Sequence, residues 1–166
     1  MDWEWTTPRL QALRDYIASV PALAAQPMNP DGASAIADAL NADASPTFTV
    51  YRTTVETAEV GIAVSYVAVE AMTDANRTRV TTFYAMNPQS FDPSRQDIRT
   101  FWANTFSGTL GGAGASTRAA LEALWRRKAT ALEKLFATGA GTDASPGLLT
   151  FEGSVSYYVV EQARAS

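Results

Sequence analysis

The chain has 166 residues, 46% of them apolar and 18% charged, a formal net charge of -4, and neither cysteine nor histidine. That length and balance fit one globular domain, and no apolar run approaches the span of a membrane helix. Without thiol or imidazole there is no disulfide framework, no cysteine-ligated metal, no Ser-His-Asp or Cys-His nucleophile and no zinc protease or deaminase signature, which leaves carboxylate chemistry and binding.

The opening MDWEWTTPRL has acidic groups where a signal peptide has a basic flank and an apolar stretch, so the chain is expected to be soluble and unprocessed. Thr7 and Pro8 then mark a helix start, because proline at the first helical position gives up only an N–H that would be unpaired there. Leu10, Leu13 and Ile17 recur at helical spacing as its inward stripe. Pro21 and Pro27 bracket a short Ala-rich connector. Asp31-Gly32 opens a second helix, with Ile36 and Leu40 four apart and Ala33 and Ala37 on the same side. Beyond Ala44-Ser45-Pro46, the alternation of β-branched and aromatic residues over 47–53 predicts a strand. Residues 57–72 are ambiguous between helix and strand; they divide best into a short helix over 58–64 and a second strand over 66–69. A helix over 73–86 follows, with Val80, Phe83 and Tyr84 inward and Arg77 and Arg79 outward.

Asp92 is placed at the N-cap and Pro93 in the first turn of the next helix, where Ser94 and Asp97 add negative charge that the helix dipole favours. Ile98, Phe101, Trp102, Thr105 and Phe106 then repeat at i, i+3, i+4, i+7 and i+8, a core face. Gly108–Gly114 breaks that helix as a mobile loop. From Ser116 helical character runs to Phe136, with Leu121, Leu124, Trp125, Leu132, Leu135 and Phe136 on one side and Glu122, Arg126, Arg127, Glu133 and Lys134 on the others. Residues 128–130 mark a break or kink. Residues 138–147 form a turn-rich loop, residues 149–155 alternate as a strand antiparallel to 47–53, and Tyr157–Ala165 closes the chain as a helix capped by Ser156. The expected class is α+β, mainly α with a small antiparallel β element: one compact domain over 1–166 with about five to seven helices and two or three short strands.

Charge is uneven along the chain. Residues 1–90 carry five basic and ten acidic side chains, residues 91–166 eight and seven. The acidic balance is the wrong sign for a nucleic-acid binder. Arg126-Arg127-Lys128, with Arg118 upstream, is the basic cluster; it suits a phosphate or an acidic partner, or else a solvated helix face paired with Glu122 and Glu133. The glycine-rich 108–114 stretch lacks the spacing and the lysine of a P-loop and follows a helix instead of a strand. Carboxylate pairs Glu56/Glu59, Asp92/Asp97 and Glu152/Glu161 supply the residue types of a glycosidase, but Asp92 already has a capping role and nothing ties a pair to a cleft. Trp3 and Trp5 precede the first helix and either fold back or insert into a partner, whereas Trp102 and Trp125 belong to core stripes.

Several segments resemble a family of uncharacterised small proteins from the structural gene blocks of tailed bacteriophages and prophages. They are Phe48–Thr53, Asn76-Arg77 with Asn87-Pro88, Asp92–Arg99, Ala129–Pro146 and Phe151–Ser156 through Arg164. The resemblance touches most of the chain from residue 7 onward and carries no catalytic residue. It implies a virion protein, assembled in the bacterial host cytoplasm and sited at the tail or the head–tail junction. The partners it implies are other tail or neck subunits and further copies of this chain; the missing cysteine and histidine, the lack of a long apolar run and the acidic balance add the expectation of no cofactor, metal, membrane span or nucleic acid. Candidate contact residues are Trp3 and Trp5 in an N-terminal arm over 1–6, Gly111 and Gly112 in a flexible loop over 108–115, and Arg126 and Arg127, with a second flexible loop over 138–147. The rival expectations are an accessory protein that inhibits a host factor through its acidic half, and a carboxylate-based cell-wall glycan hydrolase.

Overall fold

The computed structural model describes residues 4–107 and 110–165. In chain order the elements are α1 (Thr7–Ser19), α2 (Pro21–Ala24), α3 (Pro30–Asn41), β1 (Thr49–Tyr51), β2 (Val55–Glu56), α4 (Thr57–Ala63), α5 (Tyr66–Glu70) and α6 (Asp74–Met86). They continue with β3 (Ser90–Phe91), α7 (Gln96–Thr105), α8 (Gly111–Leu124), β4 (Arg126–Lys128), α9 (Ala131–Phe136), β5 (Ala137–Thr138), β6 (Leu148–Leu149) and α10 (Tyr157–Ala165). Helix makes up 59%, and among the described residues every ladder is two-stranded, β1 with β4, β2 with β3 and β5 with β6, so the α-rich class with small β elements is what the chain adopts. The chain divides into two compact units, 1–50 with 128–166, and 51–127. No composition shift marks the crossings, because both fall inside strands, within β1 and β4.

The first unit is a helical core. Leu10, Leu13 and Ile17 of α1 are buried as their spacing predicts, together with Ala33, Ile36, Ala37 and Leu40 of α3 and Val160 and Ala163 of α10. The small alanines let α3 and α10 approach closely, and Leu132, Phe151 and Val155 complete the cluster. Asn41 ties it to the C-terminal segment: its amide donates to the Val155 carbonyl and accepts from the Val155 N–H, both at 2.9 Å. The helix starts shift from expectation. The residue before α1 is Thr6, with Thr7 and Pro8 inside the helix; α3 begins at Pro30, where the Asn29 side chain accepts from Gly32 N. The Ala-rich connector contains the single turn α2.

Residues 149–155 do not form the predicted strand beside 47–53. Only Leu148–Leu149 is in a ladder, antiparallel to Ala137–Thr138 across the intervening turn. Phe151 and Val155 point into the core instead, and Gly153 takes a positive φ of 144° that ends the extended run. A partner ten residues upstream closes a far shorter loop than one about a hundred residues away. β1 pairs with β4, the basic Arg126–Lys128 segment, where the sequence gives only a break in a long helix.

The second unit is built on aromatic rings. Phe83 of α6 stacks on Phe101 at 5.0 Å and meets Trp102 edge-on at 5.1 Å, while Trp102 and Phe106 stack at 6.0 Å. Phe91 of β3 contacts Trp125 edge-on at 5.6 Å. The antiparallel β2–β3 register sets Val55 opposite Phe91 and Glu56 opposite Ser90. The short helix expected over 58–64 forms one residue earlier, as α4 over Thr57–Ala63, but the second strand expected over 66–69 is the helix α5, in which only Ala68 is buried. Asp92 is not an N-cap: its carboxylate accepts from Ser94 N at 2.8 Å in a turn, and α7 starts four residues later at Gln96. Of the glycine-rich stretch, Gly108 and Thr109 lie outside the described residues, and Gly111 to Gly114 form the first turn of α8. A Cβ at Gly114 would sit 2.7 Å from Leu110 Cβ and 3.0 Å from the Phe106 carbonyl, so glycine there allows close packing.

Candidate functional site

On α7, Gln96, Arg99, Thr100 and Ala103 share one face at i, i+3, i+4 and i+7, beside the turn that buries Trp102. On α8, Arg118, Leu121 and Glu122 repeat the same spacing, and Trp125 and Arg126 follow at its end. These two faces, closed by Tyr51, line a cleft of about 250 Å³ that lies entirely within the second unit. Arg118 and Arg126, one cluster in the sequence, do meet here, but Arg127 and Lys128 do not line the cleft. Lys128 faces Asp43 at 3.9 Å.

The three guanidiniums are held differently. Arg99 donates through Nη1 to the carbonyls of Pro93, at 2.7 Å, and Ser94, and through Nη2 to Gln96 Oε1 at 2.6 Å. Its plane lies 3.8 Å from the centre of the Tyr51 ring, a cation–π contact. Gln96 Nε2 in turn donates to Thr100 Oγ1 at 3.1 Å, so one side chain orients two neighbours. Arg118 Nη1 donates to the Phe106 carbonyl just past the end of α7. Arg126 Nη2 reaches Glu122 at 3.4 Å, the i,i+4 pair expected from spacing, while its buried Nε–H has no acceptor. The indole N–H of Trp102, a residue only 1% exposed, is likewise buried without an acceptor.

The sequence reading missed Arg99, Gln96 and Tyr51. The signal was present in the polar positions 96, 99 and 100 alongside the aromatic stripe of α7, but it takes the fold to bring them against Arg118 and Arg126.

None of the other described candidate residues lines the cleft. Trp3 is outside the described residues. Trp5 folds back, half-buried, with its ring 6.0 Å from Phe136 and 5.8 Å from Phe151 in the core of the first unit. Gly111 and Gly112 are exposed at the start of α8, Gly111 with a positive φ of 59°. Two of the three carboxylate pairs, Glu56/Glu59 and Asp92/Asp97, are engaged locally. Glu56 and Glu59 form the capping box of α4, and Glu59 also takes two bonds of 2.9 Å from Arg52, which hold its carboxyl below the usual carboxylate range. Asp97 is bound by Arg95 at 3.1 and 2.6 Å and is shifted down by that hydrogen bond. A glycosidase proton donor needs the opposite shift. Glu133, assigned by periodicity to an outer face, is 3% exposed: it forms a capping box with Thr130 and accepts from Gly153 N at 3.3 Å.

A different surface stands out on α4 and α5. Ile62, Tyr66 and Val67 are 88%, 82% and 64% exposed, three large apolar side chains within six residues. No helix among the described residues is long and apolar enough to cross a membrane. Comparison with protein families finds no matching family, and neither the curated proteins nor the solved structures give a significant match.

Proposed function

We propose that the chain is a non-enzymatic virion protein of a tailed phage, an adaptor or tail-associated subunit that assembles in several copies at the tail or the head–tail junction. The sequence resemblance supplies the setting. The observation that carries the binding role is the exposed Ile62, Tyr66 and Val67 of α4–α5. Exposed large apolar side chains gain about 1.5–3 kcal/mol each when buried against a neighbour, and subunits repeated around an axis offer such a neighbour.

Mass spectrometry of purified virions tests this reading, with the protein expected at a copy number comparable to neck or tail subunits. A phage carrying Ile62→Asp with Val67→Asp should yield particles that lack the protein, while the isolated variant keeps the helical circular dichroism of the parent. Virions free of the wild-type protein overturn the proposal.

A further inference from the structure

We propose that the arginine cleft of the second unit is a binding site for a small phosphate monoester, a doubly charged oxyanion. Its lining includes none of Ile62, Tyr66 and Val67 and, among the described contact residues that the sequence suggested, only Arg126.

Three observations converge. The first is charge. Arg99, Arg118 and Arg126 line the cleft against the single carboxylate of Glu122, which leaves two positive charges in a chain whose overall charge is -4. Arg99 and Arg118 donate to carbonyl and amide oxygens, so neither charge is neutralised by its own hydrogen bonds. A phosphate monoester carries about two negative charges near neutral pH and matches that excess, whereas a carboxylate or a phosphodiester supplies one. The second is donors. Trp102 Nε1–H and Arg126 Nε–H are buried without an acceptor, both in residues that line the cleft. A buried donor left unpaired is destabilising by about 1–3 kcal/mol, and a phosphate offers several oxygens to accept from such donors. The third is preorganisation and size. Tyr51 and Gln96 fix the Arg99 plane before any ligand arrives, which limits the entropy lost on binding. The cleft, about 250 Å³, is below the range of about 300–1,000 Å³ that takes larger organic ligands, so a compact molecule fits.

The experiment titrates the full chain, at low salt and pH about 7.5, with inorganic phosphate, phenyl phosphate, dimethyl phosphate and acetate up to about 10 mM each. Calorimetry and the indole N–H resonances, with Trp102 assigned through Trp102→Phe, are the readouts. Inorganic phosphate or phenyl phosphate is expected to shift the Trp102 indole resonance, and to bind at least about tenfold more tightly than dimethyl phosphate or acetate. Arg126→Gln should weaken phosphate binding by about tenfold. Glu122→Gln, at a side chain 61% exposed, removes the competing carboxylate and should strengthen binding by about threefold. Both variants are checked by circular dichroism, and because one loses and the other gains affinity, general unfolding cannot imitate the pair. No binding by the wild type overturns the proposal. So does binding of acetate as tight as that of phosphate, or an affinity that neither substitution changes.

Discussion

Glu133 gives the sharpest test of the packing described above, because its helical spacing assigns it to solvent and the fold buries it. Its carboxylate accepts from Thr130 N at 3.0 Å and from Gly153 N at 3.3 Å, and the residue is 3% exposed. Replacing it by alanine removes both acceptors and one methylene. A hydrogen bond to a charged group contributes about 1.5–3 kcal/mol. That range applies to the half-buried Thr130 N–H, whereas Gly153 is exposed and water takes over most of the second bond. Adding about 0.8 kcal/mol for the methylene, Glu133→Ala should destabilise by about 3 kcal/mol. Glu133→Gln keeps one acceptor for the capping box and presents a donor toward the other N–H, so about 1 kcal/mol is expected. Urea denaturation followed by far-ultraviolet circular dichroism measures both. A loss below about 0.5 kcal/mol for the alanine variant, the value of an ordinary surface site, would refute the reasoning.

Gly141→Ala should be destabilising by about 2–4 kcal/mol, because φ is +66° and a Cβ would lie 2.0 Å from the Phe48 ring. Gly111→Ala has a similar φ of +59° with open space around it, and should lose about 1 kcal/mol; equal losses in the two thermal melts would show that the Phe48 contact is absent. Trp5→Ala removes two aromatic contacts and half-buried area, so a loss of about 2 kcal/mol is expected, and unchanged stability would mean that the segment does not dock. The Arg52–Glu59 pair predicts a pH dependence. Glu59 has its folded pKa lowered from 4.5, so its contribution is present above that value and is lost as pH falls through the lower folded one. At a side chain 35% exposed the contribution is under about 1 kcal/mol, and Glu59→Gln should flatten the acid limb of the stability curve; an unchanged limb would discount the pair.

Local patterns were enough where the pattern and the burial agree. The stripes of α1 and α3, the inward Phe83 and the Trp102–Phe106 face could be read directly, since a side chain every three or four residues must face one direction whatever packs on it. Zero histidine and zero cysteine likewise fixed which chemistries this chain is unable to perform. Boundaries were less legible. Asp92 has the residue type of a helix cap, yet its oxygen is taken by Ser94 N two residues on, and the helix waits until Gln96. The same ambiguity turned Tyr66–Val69 into an expected strand, because β-branched and aromatic residues in a four-residue run fit either geometry.

What the tertiary structure alone decided is which distant residues meet. The basic run 126–128 becomes a strand because β1, some seventy-five residues upstream, offers it backbone partners, and Arg126 lines the same cleft as the α7 residues. Glu133 is buried although its spacing faces it outward, and Gly153, twenty residues on, returns to donate to it. Arg99, Arg118 and Arg126 share a cleft only once α7 and α8 have packed on a common aromatic core. Periodicity acts over a few residues and settles which way each side chain points, while the pairing of faces is set by burial and loop closure across the whole chain.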